Sequence, residues 1–170
     1  MDAGANGKAG WRGCHGRTLL GAAACGRSEK MAELARRQAT AVRMENAKEY
    51  LTGRLLSDEG VRLLKHGRNG KSMHRTLRCP DQECGKLTWG KTLHDLRLMQ
   101  EVRRGTEADP SEPNFTGTSE LRRSKAGRAA LDRSFSLLFP SRSLDFTVAT
   151  KDECEQVVLG FQAMLAAQRG

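Results

Sequence analysis

The apolar positions change their spacing several times along the chain, and each change marks an element. From Ser28 to Leu56 the residues favour helix, with no proline and one late glycine, Gly53. Ser28 reads as the N-cap, and Glu29 suits the positive end of the helix dipole. Met31, Leu34, Ala35, Ala41, Val42, Met44, Leu51 and Leu55 form a weak apolar stripe without a heptad. That predicts a charged helix over 28–56, lying on a domain or leading into it, and argues against a coiled coil. After Ser57-Asp58-Glu59-Gly60 the spacing shortens. Val61, Leu63 and Leu64 lead into Gly67, Asn69 and Gly70, and the chain returns through Met73 and Leu77. This is strand, turn, strand, with residues at the turn that tolerate positive φ. Pro80 to Glu83 makes the next turn. Lys86 to Gly90 reads as a third strand, with Leu87 and Trp89 on one face. Leu96, Leu98 and Val102 predict a fourth strand from Asp95 to Arg103.

Residues 105–133 break this rhythm. Pro110, Pro113, Gly117 and Gly127 occur among few large apolar residues, which predicts a long surface loop with at most a helical turn. Alternation returns at Phe135, Leu137 and Phe139, turns at Pro140 to Ser143, and resumes at Leu144, Phe146 and Val148. The last element is the best specified. Thr150 and Glu153 form a capping box, and Cys154, Val157, Val158, Phe161 and Leu165 share a helical face. Short antiparallel strands followed by one amphipathic helix define a mainly β fold. A bent sheet of this size has open ends, and the helix can cover one of them. Residues 57–168 form this domain, 28–56 the extra helix before it, and 1–27 a disordered or targeting segment. In that segment four cations and no acid lie between Ala3 and Ser28, around the short apolar run Thr18 to Cys25.

Charge sharpens the picture. The 170 residues carry a net +9. Residues 1–57 hold 10 Lys/Arg and 5 Asp/Glu, and the remainder 19 and 15. The β domain is therefore nearly balanced, apart from its first hairpin. From Val61 to Arg78 there are six cations (Arg62, Lys65, Arg68, Lys71, Arg75, Arg78) and no carboxylate. A hairpin tip with unopposed positive charge attracts phosphate, on a lipid headgroup or on a nucleic acid. Few aromatics and no stacking platform argue against nucleic acid. Five cysteines, an odd number without regular spacing, suit a reducing compartment. His74, Cys79, Cys84 and His94 fit no standard zinc spacing. No phosphate loop, nucleophile elbow or catalytic carboxylate pair is present. The expectation is therefore no catalytic residue, no metal and no cofactor.

The residues also resemble a known family. Gly60 through Lys71, Met99 through Glu107, Phe135-Ser136-Leu137-Leu138 with Arg142 to Phe146, and Lys151 through Leu165 are similar, in that order and at those intervals, to a pleckstrin homology (PH) domain. The resemblance spans about residues 56–166, and its nearest look is the phospholipase C-type subgroup. It implies a PH-like seven-stranded partial barrel closed by the C-terminal helix. The pattern itself counts at least six strands, and a further one is expected within 105–133. It also implies that Lys65 and Arg75 are the anchor cations for inositol phosphate headgroups. Arg68 and Lys71 fill the loop between them, and Lys91 supplies a further phosphate ligand. Arg75 shares a strand face with Met73 and Leu77, so it must lie at the open mouth of the barrel. Met73 stands where a third basic residue is usual, and Val157 where the closing helix usually carries tryptophan.

Together these observations predict a non-catalytic module, cytoplasmic and peripheral to membranes, with anionic phosphoinositide membranes as its partner. The alternative is a protein–protein adaptor that uses the same barrel without specific lipid binding.

Overall fold

The structure is a computed structural model that describes residues 20–170, with side chains from residue 28 onward. The targeting segment expected at 1–27 lies outside these residues, except for the backbone of 20–27. Helix α1 runs Leu20–Leu56. Ser28 is thus an exposed residue inside the helix and not its cap. The preceding Ala22-Ala23-Ala24 favours helix strongly, so nothing there halts it.

The described residues belong to two units divided between Ala39 and Thr40. In the first, every side chain from Ser28 to Ala39 is exposed. Arg37 pairs with Glu33 one turn away, at 2.8 Å.

The second unit holds the β domain. Its strands are β1 (Val61–His66), β2 (Ser72–Leu77), β3 (Lys86–Thr88), β4 (Leu93–Asp95), β5 (Glu101–Arg104), β6 (Ala108–Asp109), β7 (Glu112–Thr116), β8 (Ser134–Phe139) and β9 (Arg142–Thr147). The main sheet is antiparallel, in the order β2-β1-β9-β8-β5. The β3–β4 pair joins its β2 edge through reciprocal hydrogen bonds between Arg78 and Thr88, at 3.0 and 2.8 Å. Seven strands therefore follow one another around a partial barrel. Helix α4 (Lys151–Arg169) packs its buried face, Cys154, Val157, Val158 and Phe161, into the same core as Phe135, Leu137 and Phe146. The architecture is PH-like, with an extra helix in front.

The seventh strand does not come from residues 105–133. It comes from the segment expected to be one strand, 95–103. Asp95 accepts the Arg97 N–H at 3.0 Å and caps a 3-10 turn over Leu96–Leu98. That turn separates β4 from β5, burying Leu96 and leaving Leu98 exposed. Residues 105–133 are not a loop either. They fold into the β6–β7 hairpin and two short helices, α2 (Ser119–Arg123) and α3 (Lys125–Ala129). Thr118 caps α2, and Ser124 caps α3 through the Gly127 N–H. Leu121, Ser124 and Gly127 are buried. The chain needs Gly127 there, because a Cβ would lie 2.6 Å from the Leu121 carbonyl oxygen.

The C-terminal part of α1 docks on this domain. Ala47, Leu51 and Leu55 are fully buried, and the Leu55 carbonyl accepts the Cys79 N–H at 2.8 Å. Gly160 of α4 lets the two helices approach, since a Cβ there would meet Ala47 and Leu51 at 2.7 Å. Arg43 pairs with Glu155 across the contact, at 2.5 Å. Leu51 and Leu55 join the core that contains Val157.

Candidate anion-binding recess

The first hairpin is built as its residues require. Val61, Leu63 and Lys65 share the face of β1 that looks into the barrel, and Lys65 sits opposite Met73 on β2 and Phe146 on β9. The core is closed at the Val61 end, where Leu77 is the partner and both are buried. It opens at the Lys65 end. The turn is held by Gly67 N–H to Lys71 O at 2.8 Å and Gly70 N–H to Gly67 O at 2.9 Å. Gly70 has a φ of 75°. Asn69 Oδ1 accepts the Lys71 N–H at 3.1 Å.

At this open end lies a recess of about 240 Å³. Lys65, Arg68 and Arg142 supply its positive charge, and Trp89 and Thr92 its opposite wall. Arg142 begins β9, at the turn that follows β8. Because β9 pairs with β1, Arg142 lines the same recess as Lys65 although 77 positions separate them in sequence. Among the described residues, none of Lys65, Arg68, Lys71, Arg75 and Arg142 makes a salt bridge. Lys65 Nζ sits 5.6 Å from the centre of the Trp89 ring, a cation–π contact. Its pKa is lowered from the usual lysine value, first by burial; Asp145 pulls it back up, and Arg142, Arg75 and Arg68 each push it down. An anion in the recess would relieve that repulsion.

Trp89 also stacks on His94, with ring centroids 4.3 Å apart. The Arg142 guanidinium meets the same imidazole, with Nη2 2.6 Å from Nδ1 and 2.8 Å from Nε2. Burial and then the Arg142 charge push His94 down to about 4, so the ring is neutral beside the guanidinium. The stack fixes one wall and holds Arg142 at the rim. Glu120 is the acidic member of the lining. It is engaged by Ser119 at 2.7 Å and by Arg123 at 3.7 Å.

The predicted cations are not gathered into one place. Lys65 and Arg68 line the recess, and Lys71 is exposed at the turn beside it. Arg75 lines a neighbouring groove of about 390 Å³ with Arg62, Arg78 and Trp89, so the indole is the wall between the two hollows. Arg75 reaches only Met73 Sδ at 3.8 Å and the His74 carbonyl at 3.4 Å. Lys91 is exposed between β3 and β4, outside the recess, where Thr92 takes the lining position. Sequence reading did not mark Arg142 or Thr92. The signal for Arg142 was its place in the late hairpin turn, the strand that must return beside β1 in this fold.

The other face of the same strands is sealed. His66 Nδ1 lies 2.8 Å from Ser72 Oγ and 2.9 Å from Ser124 Oγ, and its Nε2 lies 2.8 Å from Thr147 Oγ1. Asp145 accepts from Ser136 and Ser143, each at 2.7 Å, and from Thr118. Burial raises Asp145 above the usual carboxylate range, while these hydroxyls pull it back. Burial also takes His66 down to about 4. Helices α2 and α3 cover this layer through Thr118 and Ser124.

The candidate zinc ligands do not converge. His94 belongs to the Trp89 stack, Cys79 and Cys84 face each other in the core, and His74 is exposed. No group of three or more His, Cys, Asp or Glu suited to a metal occurs among the described residues. Nor is any helix among them long and apolar enough to cross a membrane.

No protein-family model matches this chain, and none of the curated proteins matches it. Two solved structures are similar in shape. One is Inner Membrane Complex Sub-compartment Protein 3 from Toxoplasma gondii, at 11% identity and a TM-score of 0.48, covering 74% of this chain and 87% of that one. The other is the PH domain from TgAPH, at 11% identity and a TM-score of 0.43, covering 75% of this chain and 94% of that one.

Proposed function

We propose that this chain is a non-catalytic, PH-type membrane-targeting module whose recess takes the phosphate groups of inositol headgroups. The observation that carries the reading is the convergence of Lys65, Arg68 and Arg142 on one open recess without salt-bridge partners. Lysine offers a compact charge and arginine a two-pronged donor, which suits a multiply phosphorylated ring. Lys71, Arg75 and Lys91 lie outside the recess and add long-range attraction to an anionic surface. In this reading residues 57–168 are the module and 28–56 its helical extension. The module works in the cytoplasm at the membrane surface, and its kinship is with the phospholipase C-type PH domains.

Vesicle co-sedimentation tests the proposal. Vesicles carrying phosphorylated inositol lipids are expected to pull down more protein than phosphatidylserine vesicles of equal charge. The Lys65→Ala, Arg142→Ala double variant is expected to lose the difference at an unchanged melting temperature. Equal pull-down by both vesicle types would remove specific headgroup recognition. Binding to nucleic acid with a steep salt dependence would replace it with another polyanion.

A second reading, the protein-contact adaptor, is favoured by the helix before the barrel. Met31 is 66% exposed and Leu34 is 50% exposed on it. Large apolar side chains left in water are features that partner proteins cover.

A further inference from the structure

Two thiols lie outside the recess, and the proposed function does not use them. Cys79 follows β2 and Cys84 precedes β3, and they are 8% and 7% exposed. The segment between them, Pro-Asp-Gln-Glu, folds back on itself. The Cys84 N–H donates to the Asp81 carbonyl at 3.2 Å and the Gly85 N–H to Asp81 Oδ1 at 2.9 Å. The reciprocal hydrogen bonds of Arg78 and Thr88 close its base. The two thiols share a hydrogen bond in which Cys79 is the donor. Cys84 has a φ of 50°, in the left-handed region that a residue with a Cβ rarely takes. No other non-glycine residue among those described has a positive φ. Cys84 also lines a groove of about 340 Å³ together with Lys48, Thr52, Glu83, Arg97 and Met164, whereas Cys79 does not. Cys84 is therefore the thiol that meets the groove, while both are buried to the same degree.

We infer that Cys79 and Cys84 form an oxidisable dithiol site that reduces a hydroperoxide and closes to an intramolecular disulfide. The step has two parts. The Cys84 thiolate attacks one oxygen of the peroxide, an S–O bond forms, the O–O bond breaks, and hydroxide leaves to be protonated to water (or to an alcohol, for an organic hydroperoxide). Cys79 Sγ then attacks Cys84 Sγ, the S–S bond forms, the S–O bond breaks, and the departing hydroxide takes the Cys79 proton as water. Two thiols lose two electrons and the peroxide gains them. The direction of attack follows from the pair. The hydrogen bond from Cys79 lowers Cys84, while the same bond, then burial, raises Cys79. Burial and the Asp81 carboxylate oppose the lowering of Cys84. Cys154 is the internal contrast. It is buried, it donates to the Ser134 carbonyl at 3.6 Å, and burial pushes its thiol up to about 11.

The full chain, fully reduced, is treated with a small excess of hydrogen peroxide, denatured, alkylated and digested with trypsin. Cys79 and Cys84 fall on one tryptic peptide, Cys79 to Lys86. That peptide is expected two hydrogens lighter than its dithiol form, without alkyl groups, and restored by dithiothreitol. The Cys154 peptide stays alkylated. A Cys79–Lys86 peptide alkylated at both cysteines overturns the proposal. So does Cys84 oxidised to sulfinic acid beside an alkylated Cys79. The Cys79→Ser variant is expected to stop at a Cys84 sulfenic acid that dimedone traps. Wild-type protein with phenylarsine oxide guards against a variant that fails to fold. Trivalent arsenic bridging both thiols is expected on the same peptide and is lost after peroxide. Absence of that adduct from the reduced, folded protein also overturns the site.

Discussion

Lys65 and His66 are neighbours on β1 and point to opposite faces of one sheet. Both are pulled below their ordinary values chiefly by burial. The difference lies in what surrounds them. His66 has hydroxyl partners at both ring nitrogens, from Ser72, Ser124 and Thr147, under a helical cover. Lys65 has a long contact of 3.4 Å to the His66 carbonyl, the face of Trp89, and three arginine charges that oppose the pull of Asp145. A buried polar group with complete partners holds structure together. A half-buried cation with converging cations and no salt bridge is a place where an anion is missing. Strand alternation alone puts these two environments one residue apart.

The sharpest way to break the contrast is to truncate both residues. His66→Ala removes the common partner of three buried hydroxyls and leaves a cavity, and is expected to cost about 3–5 kcal/mol of folding stability. Lys65→Ala is expected to change stability by less than about 1 kcal/mol. Urea unfolding of the two variants beside the wild type measures both. Equal losses would mean that the two faces are not different in kind.

Acid should act through the sealed face and the stack. His66 and His94 both titrate near 4 when folded and at 6.5 when free, so the unfolded chain binds more protons in between. Their contribution is complete above pH 6.5 and is lost as pH falls toward 4. For His66 the loss at the far end is on the order of 3 kcal/mol. Asp145 opposes it. Its folded value is raised, so its ionisation costs stability at neutral pH, and acidification recovers that cost. The net expectation is a urea midpoint that falls through this window, with Asp145 offsetting part of the loss. A flat profile would mean that His66 is not sealed from water.

Much of the frame was legible because apolar alternation carries it. Val61 with Leu63, Phe135 with Leu137, and Leu144 with Phe146 all face the core, as their spacing requires. The capping box before α4 is present too, though Glu153 reaches back to the Ala149 N–H at 3.2 Å rather than to that of Thr150. What escaped was buried by other chemistry. Residues 105–133 pack through Thr118, Ser124, Gly127 and Asp109, small or polar groups that a hydrophobic count passes over. Their partners, Ser134, Ser136, Asp145 and Thr147, lie on the polar parity of β8 and β9, which normally means solvent. Of the recess, the sequence showed the hairpin half. Arg142 and Thr92 arrive from β9 and from the link between β3 and β4, and no local spacing announces that they meet Lys65.

The smallest expected effect separates position from charge. Each cation near an anionic surface contributes about 1 kcal/mol, roughly a five-fold change in vesicle partitioning. Lys65→Ala and Arg142→Ala should each reach or exceed that on vesicles bearing inositol phosphates. They line the recess, and Arg142 is held there by His94. Lys91→Ala removes the same unit of charge from a fully solvated site outside the recess. Salt screens such a site strongly, so its loss should stay under about two-fold and vanish as ionic strength rises. Titrating the three variants against the same vesicles at low and at physiological salt decides the matter. If Lys91→Ala matches Lys65→Ala at both salts, binding follows the overall charge of this end of the barrel and the recess selects nothing.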